Sequence, residues 1–155
     1  SFLSRVPIPP EHVHPMCGGR NDLEGSAADY EALLKNLVPA SPDSHGIPSL
    51  DLVVLGLGAD GHTASLFPRD NLPNEDKRLV GAVLLPWGDP PLPRLSMTLP
   101  LINSARWALF VVSGSNKRAV VESILRDRES AGRLYPAARV MPLTGMTWLI
   151  DEKMS

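Results

Sequence analysis

The sequence predicts an α/β domain built on a Rossmann-like, open and largely parallel sheet with helices on both faces. Three observations carry that prediction. Short, nearly continuous apolar runs recur along the chain, "LDLVVLGLG" from Leu50, "LVGAVLLPW" from Leu79 and "ARWALFVVSG" from Ala105, as in strands covered on both sides. Segments with helical spacing, "AADYEALLKNL" and "SNKRAVVESILRDRE", alternate with them. The first and third apolar runs empty directly into glycine turns, the usual setting of a ligand site at the carboxyl end of a sheet.

Taken in order, "HVHPM" from His12 reads as a short strand ended by its proline, and "CGGRNDLEG" as turn-rich. Ser26 is the expected cap of the first helix, with Ala28, Leu33 and Leu37 on one face and Tyr30 and Leu34 beside it. "VPASPDSHGIPS" is a surface loop, since three prolines and a glycine interrupt any ladder. After the strand at Leu52, the polar stretch "PRDNLPNEDKR" predicts a mobile loop. "RLSMTLP" alternates Leu95, Met97 and Leu99 with Ser96 and Thr98, the period of a strand with one polar face. The strand at Trp107 leads through a tight turn into a helix bearing Val120, Val121, Ile124 and Leu125. A last strand is expected around Trp148. All 155 residues read as one domain, without repeat or linker.

Composition excludes several classes of function. Fifteen Lys and Arg against seventeen Asp and Glu leave no basic stripe for nucleic acid. No apolar run reaches the roughly 20 residues that span a bilayer, so no membrane partner is expected. The single cysteine, Cys17, forms no internal disulfide; it reads as a small buried thiol in a reducing, cytoplasmic protein. His12-x-His14 alone lacks further ligands at metal spacing, so no metal is expected.

The stretch "LVVLGLGADGHTASLFP", Leu52 to Pro68, contains G-x-G-x-x-G at Gly56, Gly58 and Gly61. A dinucleotide site needs a full crossover helix after the third glycine and an acidic residue at the next strand end. Here a helix starting at Gly61 runs only through "HTASLF" before Pro68, and Glu75 and Asp76 lie in the polar loop. The stretch is better read as a strand-to-helix turn that sets Asp60, His62, Thr63 and Ser65 at the sheet's carboxyl end. On this reading His62 begins the helix beside a glycine, with its imidazole facing a cleft and free to take a proton from water; a structural histidine is the competing reading. Asp60 serves equally well as a turn residue or cap. In "FVVSGSNKRAV" a second strand delivers a turn to a helix start beside Lys117 and Arg118, which suits an oxyanion such as phosphate, or else a solvated helix face. Arg94 is a fixed charge able to grip phosphate with two donors, or a surface arginine at a strand end.

These blocks resemble, in order, those of the family of 6-phosphogluconolactonases and glucosamine-6-phosphate isomerases/deaminases. "LGLGADGHTASLFP" looks like its central motif, with "RLSMTLPLINSAR" and "VVSGSNKRAVV" following, and "VPIPPEHVHPM", "SAADYEALL" and "MTWLID" are also similar. The resemblance implies hydrolysis of 6-phosphoglucono-1,5-lactone to 6-phosphogluconate in the oxidative pentose phosphate pathway, with no cofactor. It implies His62 as general base and acid with Asp60 beside it, Arg94 and Lys117 holding the sugar phosphate, and Gly58 and Gly61 among the substrate-contacting positions. Members also carry an amino-terminal Gly-Gly-Ser-Thr type loop and an Asp-Glu-Arg segment that this sequence lacks. The chain is therefore expected to be the carboxyl-terminal part of a longer lactonase domain, its sheet missing the first strands and open to self-association at an edge. Two alternatives stand beside the lactonase: an isomerase/deaminase, whose relatives carry Asn-Glu-Pro where this chain has Leu66-Phe67-Pro68, and a non-catalytic sugar-phosphate-binding protein.

Overall fold

The computed structural model describes residues 2–16, 21–84 and 91–151. Cys17, the glycines at 18 and 19, and residues 85–87 of the second apolar run lie outside them.

The first helix, α1 (Leu23–Leu37), starts at Asp22, whose carboxylate accepts the Gly25 N–H at 2.8 Å. A carboxylate satisfies an orphan donor and also favours the positive end of the helix, which is why it takes the cap expected at Ser26. Ser26 lies inside the first turn and donates its hydroxyl to the Asp22 carbonyl. The buried stripe runs through Leu23, Ala27 and Leu34, with Tyr30 packed beside them. Ala28 and Leu37 are exposed, because the face that meets Leu79, Val80 and Leu101 begins at Leu23. The "HVHPM" segment pairs with no strand among the described residues. Prolines at 10 and 15 remove donors, and the Tyr30 hydroxyl instead holds the His14 carbonyl at 2.8 Å.

The main sheet contains β1 (Leu52–Leu55), β4 (Trp107–Val112) and β5 (Gly145–Ile150), all parallel, in the order β1-β4-β5. Between the first two in sequence, β2 (Val80–Val83) and β3 (Arg94–Met97) form a separate antiparallel pair. α2 (Leu99–Asn103) returns the chain to β4, while α3 (Arg118–Arg126) and the short α4 (Arg128–Ala131) lead toward β5. Apart from "HVHPM", the expected strands and the α/β class follow the sequence, and among the described residues the parallel part is the three-stranded sheet.

Alternate positions of the main sheet build the core. Val53, Leu55, Ala108, Phe110 and Val112 point inward, and Val120, Val121 and Ile124 of α3 belong to the same buried cluster. Leu125, expected on the packed face of α3, is 58% exposed. Phe110 is fully buried and stacks on Trp148 with centroids 4.1 Å apart. The other side of the sheet, through Leu52, Val54, Val111 and Leu149, is open to solvent, so the second helical layer expected from the sequence is absent among the described residues.

The end of the polar 68–78 stretch is tied down by Glu75. The Glu75 carboxylate accepts the backbone N–H groups of Asp76, Lys77 and Arg78 and bonds the Arg78 guanidinium at 2.7 Å. Hydrogen bonds from the Arg78 side chain and from the Lys77 and Arg78 backbone N–H groups hold its pKa down, from 4.5 to about 2. A depressed carboxylate contributes stability that is present above its unfolded pKa and lost as pH falls through the folded one. Urea midpoints recorded between pH 5 and about 2 should therefore decline less in Glu75→Gln than in the parent; equal slopes would remove this contribution.

Candidate active site

The loop leaving β1 is a set of reverse turns. The Gly58 N–H donates to the His62 carbonyl and the Gly61 N–H to the Gly58 carbonyl, while the Thr63 hydroxyl reaches back to the Gly56 carbonyl at 2.8 Å. Ala64 has φ 49°, and Thr63 and Leu66 form an isolated bridge. The helix expected to begin at His62 therefore does not form: a left-handed residue two positions on, Ala64, breaks any helical turn. Leu66 and Phe67 anchor the loop in the core.

What stands beside the ring is Asp60. Its Oδ1 lies 2.6 Å from His62 Nδ1 and also accepts the His62 backbone N–H at 3.1 Å. An ionised carboxylate only accepts, so Nδ1 carries the hydrogen and Nε2 is left with its lone pair. Among the described residues Nε2 has no partner, and the side chain is 32% exposed. Phe67 supports the ring with centroids 4.5 Å apart. Orientation by a carboxylate on one nitrogen with the other open to solvent is an arrangement in which a histidine can move protons.

Two glycines make this geometry possible. A Cβ on Gly58 would collide with the His62 ring and the Asp60 carboxylate, which fold back over it. Gly61 has φ 82°, and a Cβ there would enter the Tyr135 ring. The Gly61 carbonyl also accepts the Ala137 N–H, tying the loop to the segment before β5.

His62 is in contact with Asp60, Phe67 and Gly58. Lys117 ends a 3-10 turn, Ser115–Lys117, that follows Gly114 at φ 103° and precedes α3. Because β1 and β4 run parallel, their following loops leave the same edge of the sheet. At that edge Ser113 also donates to Asp151, which follows β5, at 3.0 Å. Arg94 opens β3, half-buried, with Nε donating to the Leu92 carbonyl. Ser96 shares its face of the strand, and the Ser96 hydroxyl accepts the Ser65 N–H at 3.0 Å, joining β3 to the His62 loop.

That last bond shows which way the alternating strand is turned. The polar face of "RLSMTLP" points inward: Ser96 is 3% and Thr98 0% exposed, and each hydroxyl is hydrogen-bonded. Sequence reasoning also missed Phe67, which reads as ordinary core. The strict alternation through Ser96 and Thr98 was the available signal, but alternation does not say which side faces in.

Among the described residues no three of His, Cys, Asp and Glu gather as metal ligands would, and no helix is long and apolar enough to cross a membrane. Two cavities of about 570 and 580 Å³ lie along residues 70–78 and beside Arg128 and Met141; neither is lined by His62.

Comparison with known proteins identifies the family. The sequence profile of glucosamine-6-phosphate isomerases/6-phosphogluconolactonase matches residues 1–149. The chain is 40% identical to 6-phosphogluconolactonase 3, chloroplastic, of Arabidopsis thaliana, over 100% of this chain and 47% of that protein. It is also 40% identical to 6-phosphogluconolactonase of Rattus norvegicus, over 97% of this chain and 56% of the rat protein. The crystal structure of 6-phosphogluconolactonase from Thermotoga maritima superposes with a TM-score of 0.76 at 29% identity, covering 96% of this chain and 60% of that one. The chain thus spans about half the length of the curated relatives it matches. With a profile match over nearly all of its length and this identity to curated members, the chain belongs to the glucosamine-6-phosphate isomerase/6-phosphogluconolactonase family.

Proposed function

We propose that this chain carries the hydrolytic centre of a 6-phosphoglucono-1,5-lactone hydrolase, a carboxylic ester hydrolase. The observation that carries the reading is the 2.6 Å contact between Asp60 and His62, which leaves Nε2 unpartnered at the carboxyl edge of a parallel sheet. In this mechanism Nε2 takes a proton from water as its oxygen attacks the lactone carbonyl. Asp60 stabilises the resulting imidazolium, and the imidazolium returns the proton to the departing ring oxygen. Lys117 and Arg94 bind the substrate phosphate, a role supported by the shared edge of β1 and β4 and by the Ser96–Ser65 bond. The Gly58 and Gly61 backbone lies within this substrate site.

The curated relatives compared above are named as 6-phosphogluconolactonases, which favours the lactonase. The deaminase reading lacks support in this loop, where Leu66 and Phe67 are buried and place no carboxylate after the His62 turn. A direct experiment follows both activities in the purified protein. Lactone hydrolysis above the spontaneous rate, without ammonia release from glucosamine 6-phosphate, is the expected result. Ammonia release would overturn the assignment, and binding of 6-phosphogluconate without turnover would make the chain a sugar-phosphate-binding protein. The proposal places residues 1–155 in the carboxyl-terminal part of a longer domain, and puts that domain in the cytoplasm on the strength of the single cysteine. Because plant relatives are named chloroplastic, imaging of the tagged protein decides its compartment. Self-association through a sheet edge is part of the same proposal, supported by β1 and β5, each of which pairs on one side among the described residues.

A further inference from the structure

Gly61 is buried although it stands between Asp60 and His62, whose side chains are 52% and 32% exposed. Tyr135 lies against it: the atoms that a Cβ on Gly61 would meet first are Tyr135 Cδ1, Cγ and Cβ. Two residues after Tyr135, the Ala137 N–H donates to the Gly61 carbonyl at 3.1 Å. The middle residue of the Asp60–His62 turn is therefore held twice from one segment, by a ring on its α-carbon and by a hydrogen bond on its carbonyl. The loop's own bonds, Gly58 to His62 and Gly61 to Gly58, fix its shape but reach no further than residue 62.

The supporting segment has little freedom. Pro136, Ala137 and Ala138 are buried, and their 3-10 turn, Pro136–Arg139, is held from three directions. Arg128 Nε donates to the Ala138 carbonyl at 2.8 Å, Asn103 Nδ2 to the Arg139 carbonyl at 3.1 Å, and the Arg139 guanidinium to Asn74 Oδ1 at 2.9 Å. Tyr135 itself packs on the main core, with its N–H bonded to the Ala131 carbonyl at 2.8 Å. A side chain held by the core and pressed on a flexible glycine transmits the core's rigidity to the two residues beside that glycine.

We propose that Tyr135 is a positioning residue for His62: its ring is the wall on which the Gly61 turn rests, and it sets where Nε2 points. It acts through Gly61 and takes no proton itself. The inference rests on the reading of His62 as the proton carrier. A misplacement of about 1 Å at a reacting group is enough to cost on the order of 10²-fold in rate, so the loss of this wall should be felt in turnover.

The test compares Tyr135→Ala with Tyr135→Phe in lactone hydrolysis and in the nuclear magnetic resonance shifts of the His62 ring protons, assigned by difference from His62→Gln. Tyr135→Ala should lower kcat by up to about 10²-fold and leave KM near the parent's, because Lys117 and Arg94, proposed to hold the phosphate, stand on other elements. Tyr135→Phe should match the parent, since the contact is made by the base of the side chain and not by the hydroxyl. The His62 ring lies 4.5 Å from that of Phe67, so its shifts should move in the alanine variant and stay in the phenylalanine one. Gly61→Ala should lose less kcat in the Tyr135→Ala background than in the parent, because the ring it strikes is gone. If the alanine variant does not fold, Tyr135→Val carries the same comparison, as the extended backbone at φ −120° and ψ 114° suits a β-branched residue. A parental kcat in Tyr135→Ala, or an equal Gly61→Ala loss in both backgrounds, would overturn the proposal. Should the parent itself hydrolyse no lactone, the lactonase reading fails and the ring-proton shifts still decide this one: shifts unchanged in Tyr135→Ala would remove Tyr135 as the support of His62.

Discussion

Replacing His62 with alanine is expected to lower lactone hydrolysis by about 10²- to 10⁴-fold, the range that positioned acid-base groups supply. Lactones open spontaneously, so the rate must be measured against an enzyme-free control at the same pH. The imidazole is partly in solvent and contributes one exposed pair with Asp60, itself 52% exposed. Such pairs add little to stability, so the thermal midpoint should hardly move. Asp60→Asn separates orientation from proton transfer: the amide can donate to Nδ1 and favour the tautomer that protonates Nε2, so turnover should fall while phosphate binding persists. Near-normal turnover in His62→Ala, with the background subtracted, would remove His62 from the mechanism.

Phe110→Ala is expected to be the most destabilising single change, by about 3–5 kcal/mol. Phe110 is 0% exposed at the centre of the sheet and loses both its cavity-filling volume and its stack on Trp148. Domains have about 5–15 kcal/mol in total, so a large share of the chain's stability should disappear. Urea unfolding followed by tryptophan emission measures the change, since Trp148 reports on the missing ring. Phe110→Leu should cost less because most of the volume remains. A midpoint unchanged by Phe110→Ala would mean that the sheet's inner face is not the cooperative core.

Hydrophobic period made the main elements legible. β1, β4 and β5 coincide with apolar runs, and α3 shows its buried stripe through Val120 and Ile124. Position was harder where tertiary contacts compete with local preference. Asp22 displaced Ser26 as a cap, and the Thr63 hydroxyl bond to Gly56 together with the left-handed Ala64 replaced an expected helix by turns. In the site, Asp60 and His62 were legible because both sit in one short turn, and their pairing needs only local chain. Phe67 and Ser96 were not, since their contacts depend on which face of a loop or strand turns inward.

The closeness of Asp60 to His62 in sequence has a consequence for partial unfolding. Closing a loop across one intervening residue has a small entropic penalty, so the proton-handling couple is a property of its own segment. The phosphate contact proposed for Lys117, by contrast, needs β1 and β4 in register, with more than fifty residues between them. Local opening at the β1–β4 seam would carry Lys117 away first, leaving an imidazole still correctly aimed beside a weakened proposed hold on a phosphorylated ligand.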